Sequence, residues 1–323
     1  MNPAAGVVIP AYNVESYIGD ALESVLAQDF QDWECIVVDD GSTDATANIV
    51  AAFTDPRIRL IRQDNAGVSA ARNTGIDESR ADALLLLDGD DMLHPTALGR
   101  LHAALIAAPE AVLVFGTTMR VDPDGAVQPG QSPPSQHSFV SGDVLPQMLT
   151  HDRVFWNGGQ ILARRAVLRR SGGYREGMTL SEDWEFFCRL SALGPCVFIG
   201  PQEEILRHRV RPGSTAPRLS LDFANHVPAI DVVFSNPELR DRFTPREWKR
   251  MKNEVLAIHR FETGRQHFAQ RHFGDARKHM LTALVQAPNR RRTVLFGLAG
   301  LSLVLRRPLR GVPAFHSSEP TDD

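Results

Sequence analysis

LLLLDGDDMLHP, residues 84–95, runs four leucines straight into Asp88, Asp90 and Asp91. A short apolar run bounded by turn residues fits a strand buried on both faces, the kind found in parallel sheets. Acids crowded at the end of such a strand need compensation. Two neighbouring carboxylates repel by about 1 kcal/mol in water and by about 4 kcal/mol at an effective dielectric near 20. A cation, a shared proton or contact with water would relieve them.

Outward from this strand the pattern repeats. GVVIPAYN (6–13) and WECIVVDDGSTD (33–44) read as two more buried strands, the first stopped by Pro10 and the second ending in acids and Gly41. Between them VESYIGDALESVLAQ (14–28) sets Ile18, Leu22, Val25 and Leu26 on one face, which is helical spacing. ATANIVAAF (45–53) predicts a helix with Ser42, Thr43 or Asp44 as its N-cap. IRLIRQ (58–63) predicts a strand, Val68 to Ser79 a helix, and ALLLLD (83–88) a strand. Strands alternating with helices imply an α/β fold, its parallel sheet covered on both faces. Ligands of such sheets bind outside the carboxyl ends of the strands. Tyr12, Asn13, Asp39, Asp40, Asp88, Asp90 and Asp91 all fall at such ends, so one shared rim is expected.

Beyond about Pro109 the alternation blurs. AVLVFGTTMRV (111–121) reads as a strand, and PDGAVQPGQSPPSQHS (123–138) as a loop dense in Pro, Gly and Ser that separates two halves. LARRAVLRRSGGYREG (162–177) predicts a helix ended by glycines, and SEDWEFFCRLSAL (181–193) a helix whose first turn holds Glu182 and Asp183. From Leu221 onward the text is helical, with no repeat of fixed period.

At 323 residues, 43% hydrophobic and 23% charged, the chain suits one large soluble domain or two smaller ones. Its formal net charge of -4 gives no reason to expect nucleic-acid binding. The three cysteines Cys35, Cys188 and Cys196 follow no metal-ligand spacing, and the start MNPAAGVVIPAYN lacks the marks of a signal peptide. Together these point to a reducing, cytoplasmic setting. From Ala276 to Ser318 there is no acid, and arginines flank TVLFGLAGLSLVL (293–305). That stretch is shorter than the roughly 20 apolar residues that span a bilayer. It could lie on an anionic membrane surface or dock as a C-terminal helix with a solvated basic rim.

Neither GxGxxG nor GxxxxGK[ST] occurs, which weakens a dehydrogenase and a P-loop nucleotidase. A phosphate bound without a glycine cradle calls for a metal, and carboxylates at a strand end suit Mg²⁺ or Mn²⁺. Arg72 could add a charge-assisted contact to the same phosphates or stand as a plain surface arginine. Asp39 and Asp40, taken alone, fit turn acids; Glu182 and Asp183, taken alone, fit helix capping. A receiver-like phosphoacceptor module would need a distal lysine, and none precedes Lys249. Trp156 and Trp184 fit either sugar-stacking platforms or core aromatics.

VVIPAYN, ECIVVDDGSTD, DNAGVSAARNTGI, LLLLDGDDML, GGYRE and LSEDWEFFCRL stand in the order and spacing of family 2 glycosyltransferases with the GT-A fold, which the chain resembles over roughly residues 5 to 220. The resemblance implies a Rossmann-like, mostly parallel sheet with helices on both faces, plus a helical C-terminal extension. Residues 1–110 would form the nucleotide-sugar-binding half, 111–220 the acceptor-binding half, and 221–323 the extension with its basic amphipathic tail. The implied activity is inverting, metal-assisted transfer of a sugar from a UDP- or dTDP-type donor to a hydroxyl of a glycan or lipid-linked acceptor. Pro10, Ala11, Tyr12, Asn13 and Asp40 would hold the base, with Tyr12 stacking on it. Arg72 and Asn73 would lie beside the nucleotide, Asp90 would contact ribose, and Asp91 would bind Mg²⁺ or Mn²⁺. Arg209 and Arg211 would meet the diphosphate; the family often has a histidine where Arg211 stands. Asp183 would be the base that takes the acceptor proton, kept ionised by the first turn of its helix. The QxxRW motif of processive members is absent, so one addition per acceptor is expected. A catalytically inactive nucleotide-sugar-binding scaffold is the alternative, against which both Asp91 and Asp183 argue.

Overall fold

The strands β1 (Ala5–Ala11), β2 (Trp33–Asp39), β3 (Ile58–Arg62) and β4 (Ala83–Leu86) are parallel neighbours in the order β3-β2-β1-β4. The helices α1 (Ile18–Leu26), α2 (Thr46–Ala51) and α3 (Val68–Glu78) connect them. Alternation along β2 shows why its four central positions are all apolar: Cys35 and Val37 enter one core with Val7, Ile9 and Leu85, while Ile36 and Val38 enter another with Ala71 of α3. A side chain at Gly75 would put its Cβ 2.1 Å from Val8 Cγ1, so only glycine lets α3 lie this close to β1. The computed structural model that gives this account describes residues 2–127, 139–151, 157–201, 203–211 and 222–288.

After β4 come β5 (Met92–Leu93), α4 (Ala97–Ala107), β6 (Leu113–Phe115), β7 (Thr117–Val121), α5 (Leu145–Leu149), β8 (Ile161–Arg164), α6 (Arg165–Arg170), α7 (Glu182–Ser191), β9 (Cys196–Phe198) and β10 (Glu204–Arg209). The main sheet has seven strands in the order β3-β2-β1-β4-β8-β6-β9, with β8 antiparallel to both neighbours. A second, three-stranded sheet runs β5-β10-β7.

Three expectations need correction. AVLVFGTTMRV is two strands that part at Gly116, where the chain leaves the main sheet for the small one. LARRAVLRR begins as strand β8, because Leu162 and Ala163 fill the sheet between β4 and β6; only Arg165–Arg170 is helical. The glycines do end that helix, with φ of 81° at Gly172 and 71° at Gly173. Finally, the residue before α2 is Ala45; Asp44 accepts the Thr46 N–H from one position further out.

The chain divides into two compact units, Met1–Ser214 and Thr215–Asp323. The second contains α8 (Phe223–Ser235), α9 (Pro237–Arg240), α10 (Pro245–Ala269) and α11 (Phe273–Gln286). A capping box between Thr244 and Glu247 starts α10, and Ala257, Phe261, Met280 and Ala283 form a core between α10 and α11. No helix among the described residues is long and apolar enough to cross a membrane. The basic tail 290–310, the loop 128–138 and Trp156 lie outside the described residues.

Candidate active site

The strand ends of β1 and β2 are laced together before any ligand is considered. Asn13, at φ 51°, accepts the Thr43 N–H at 2.9 Å and donates its own N–H to Ser42 Oγ. The Val14 N–H donates to Thr46 Oγ1 and the Glu15 N–H to Asp44 Oδ2. This leaves Tyr12 outermost, 50% exposed, while Pro10 and Ala11 stay buried within β1. Asp40 is buried, and its carboxylate accepts from the Ala66 and Gly67 N–H groups and from Gln63 Nε2 at 2.8–2.9 Å. It therefore fixes the turn into α3.

The three acids that follow β4 are graded by burial and each faces a different cation. Asp88, 32% accessible, meets Arg72 Nη2 at 2.8 Å. Asp90, 19% accessible, meets Arg211 Nε at 2.5 Å. Asp91, 1% accessible, has both oxygens filled: Oδ1 accepts the Arg209 N–H at 2.8 Å, and Oδ2 lies 3.2 Å from Asn157 Nδ2 and 3.1 Å from His208 Nδ1. Burial pushes Asp91 up to about 6 against the opposing pull of His208. Burial and Asp88 likewise raise Asp90, with Arg211 opposing. Burial disfavours the charge on His208, but its bond to Asp91 and the charges of Asp91, Asp88 and Asp90 leave its pKa raised. Asp88 thus acts electrostatically on every acid of the cluster.

On the other side of Arg72, Ser181 at φ 64° turns the chain into α7 and presents Glu182 and Asp183. Asp183 Oδ1 meets Arg72 Nη1 at 3.1 Å and accepts from the Tyr174 hydroxyl at 2.9 Å. Arg72 also reaches Glu182 at 3.5 Å, and its guanidinium lies 4.9 Å from the Tyr174 ring centre. Asn73 clamps the Tyr174 backbone from both sides, donating to its carbonyl at 2.9 Å and accepting its N–H at 2.7 Å. One residue earlier, a Cβ on Gly173 would lie 2.6 Å from Asn73 Oδ1, so the clamp needs glycine there. Asp183 is 26% accessible, yet burial, with Glu182 and Asp88 adding to it and Arg72 and Tyr174 opposing, raises it to about 7. That corrects the expectation that the helix start alone keeps it ionised: the loss of hydration outweighs the helix end.

The residues singled out from sequence therefore fall into two sets. Tyr12, Asn13, Asp90 and Arg211 are exposed or half-buried, and Asp183 is 26% accessible on α7. Pro10 and Ala11 are buried in β1, and Asp40, Arg72, Asn73, Arg209 and Asp91 are bound to protein groups. Arg209 is buried; it donates to the Asp90 carbonyl, the Pro123 carbonyl and Asp20, so it holds β10 to the acid loop and to α1. Asp91, expected as the metal ligand, and Arg72 and Arg209, expected at the nucleotide, are each engaged by protein partners in this structure. Trp184 is a core aromatic that donates to the Met148 carbonyl and stacks on His151. Sequence reasoning missed His208, Asn157 and Tyr174. His208 stands three residues before Arg211 and faces Asp91, a contact that no local sequence signal announced.

No group of three or more metal-binding side chains is assembled among the described residues. The accessible donors are two carboxylates, Asp88 and Asp90, with His208 beside them. Hard oxygen ligands of this number match Mg²⁺ or Mn²⁺ completed by substrate phosphates and water, and they do not make a closed all-protein cage.

Residues 6–172 match the family described as Glycosyl transferase family 2. ExoO, a succinoglycan biosynthesis protein of Rhizobium meliloti, is 32% identical over 72% of this chain and 68% of its own. Two further curated relatives are matched over 15% and 33% of their own length. S. aureus TarS residues 1–349, solved with UDP-GlcNAc, superposes with a TM-score of 0.65 at 17% identity, covering 95% of this chain and 93% of that one. The mannosyltransferase PcManGT of Pyrobaculum calidifontis, solved with GDP-Man and Mn²⁺, gives 0.59 at 18% identity, covering 94% and 81%.

Proposed function

The chain belongs to glycosyl transferase family 2, and from that premise we propose that it moves a sugar from a nucleotide diphosphate donor to a hydroxyl with inversion at the sugar carbon, one addition per acceptor. The observation that carries this reading is the bridge made by Arg72, which joins Asp88 at the end of β4 to Asp183 at the start of α7. The acids read as donor-side and the carboxyl read as the base thereby share one cation. The donor is of UDP- or dTDP-type, with Tyr12 as the stacking surface for its base. The acceptor is a glycan or lipid-linked glycan of surface polysaccharide synthesis, in keeping with the relative ExoO.

Asp88 and Asp90 would hold Mg²⁺ or Mn²⁺, with His208 at its edge and Asp91 behind His208. When bound, such an ion neutralises the charge that develops on the departing diphosphate. Asp183 accepts the proton of the acceptor hydroxyl as that oxygen attacks, and Arg72 compensates the acids around it. A base near 7 is matched to work at neutral pH, since about half of it is ionised there and it is still basic enough to take a proton.

The acid-free basic stretch 276–318 supports contact with the anionic face of a membrane. The experiment is turnover of UDP-glucose, UDP-galactose, UDP-GlcNAc, dTDP-glucose and GDP-mannose, with and without EDTA, the product anomer read by NMR. One donor turned over with inversion, loss in EDTA and rescue by Mn²⁺ is expected. Full turnover in EDTA removes the metal, and a retained anomer removes the mechanism.

A further inference from the structure

We infer that Tyr174 is a positioning residue for the transfer, its hydroxyl holding Asp183 so that one carboxylate oxygen faces the acceptor. This rests on the reading of Asp183 as the base. Among the described residues two donors reach that carboxylate, the Tyr174 hydroxyl and Arg72 Nη1, and both go to Oδ1. Oδ2 is thereby left for the incoming hydroxyl. A carboxylate anchored through one oxygen by two donors from different elements has lost its rotation about the Cβ–Cγ bond, and orientation of this kind is a large part of what an active site contributes.

The tyrosine is itself immobilised. Its ring stacks on Phe186 with centroids 4.0 Å apart, its backbone is clamped by Asn73, and the Arg72 guanidinium covers its other side. Burial and the charge of Asp183 keep the phenol protonated far above its ordinary range, so it remains a donor wherever the enzyme works. The charged and titratable groups that face Asp183 are Arg72 from α3, Asp88 from the acid loop, Glu182 from α7 and Tyr174. Of the two that favour its ionised form, only the tyrosine bond can be removed without stranding a buried charge.

Tyr174→Phe keeps the ring and deletes the hydroxyl. Without that bond the ionised carboxylate is less favoured, so the Asp183 midpoint should rise by about one pH unit, as one hydrogen bond to a charged group warrants. The ¹³Cγ resonance of Asp183, identified by its absence from Asp183→Asn, reads this midpoint with no donor present. Turnover at high pH should fall about tenfold through lost orientation, while affinity for the donor that the wild type turns over, measured by calorimetry, stays unchanged. If Tyr174→Phe does not fold, 3-fluorotyrosine at position 174, a stronger donor, should move the midpoint the other way. An unmoved ¹³Cγ midpoint, or an equal loss of turnover at every pH with the limb in place, overturns the inference and leaves the proposed function standing. Normal turnover by Asp183→Asn overturns both.

Discussion

The acid loop at residues 88–91 and the nest around residues 173–183 each bury a carboxylate and raise its pKa, yet they leave it in different states. Asp91, at about 6, has both oxygens filled by an N–H, an amide and a histidine. Asp183, at about 7, has donors on Oδ1 alone among the described residues. Burial raises both carboxyls, and the occupancy of their oxygens is what separates them: under the proposed function Asp91 supports and Asp183 reacts. The first region is held by neighbours on its own rim, including β10; the second by residues drawn from α3 and the loop after α6.

That contrast is broken most severely at Asp183. Asp183→Asn should cut turnover by about 100- to 10,000-fold at saturating donor, with donor affinity unchanged. Glu182→Gln should cost less. A parallel fall in donor affinity, read by calorimetry, would return Asp183 to a binding role.

Next comes the bridge between the regions. Arg72→Met leaves Asp88, Glu182 and Asp183 without their shared cation. Breaking a buried pair from one side costs about 3–5 kcal/mol, and the partial exposure of these acids places the loss near or below the lower end. Urea denaturation measures it; a midpoint within error of wild type would mean that water already compensates the acids.

Asp91→Asn sharpens the comparison from the other side. It disturbs contacts to Asn157 and His208 and should cost stability by about 1–3 kcal/mol, with turnover falling less than in Asp183→Asn. A loss of turnover as large as that of Asp183→Asn, without loss of stability, would make Asp91 a reacting or metal-binding group after all.

The smallest effect is on stability against pH. A carboxyl whose folded pKa is raised binds its proton more readily when folded, so stability falls as pH rises from the ordinary carboxylate range through about 7. Asp183→Asn removes that penalty. Its melting temperature relative to wild type should therefore be higher at pH 8 than at pH 5, and a difference independent of pH would contradict the raised pKa.

The sheet was legible because β1, β2 and β4 each carry an apolar run that ends in its own turn or acid signal. The same logic found the rim, since a strand end fixes where Tyr12, Asn13, Asp88 and Asp90 must emerge. Strand β8 was not legible, because its arginine-rich text favours a helix and only its two sheet neighbours make Leu162 and Ala163 extended. Inside the site the partners were not legible. Asp40, Arg72 and Arg209 carry residue types that bind nucleotides, and the protein groups each one meets are distant in sequence. Tyr174 and His208 went unnoticed for the same reason, each being defined by a partner 9 and 117 residues away respectively.

The dependence of turnover on pH, measured at saturating donor for wild type and Asp183→Asn, tests the central claim most directly. The account predicts an acid limb in the wild type with its midpoint near 7, falling as the base becomes protonated, and residual activity in Asp183→Asn without that limb. A limb that persists unchanged in Asp183→Asn would contradict the account, because some other group would then be taking the proton.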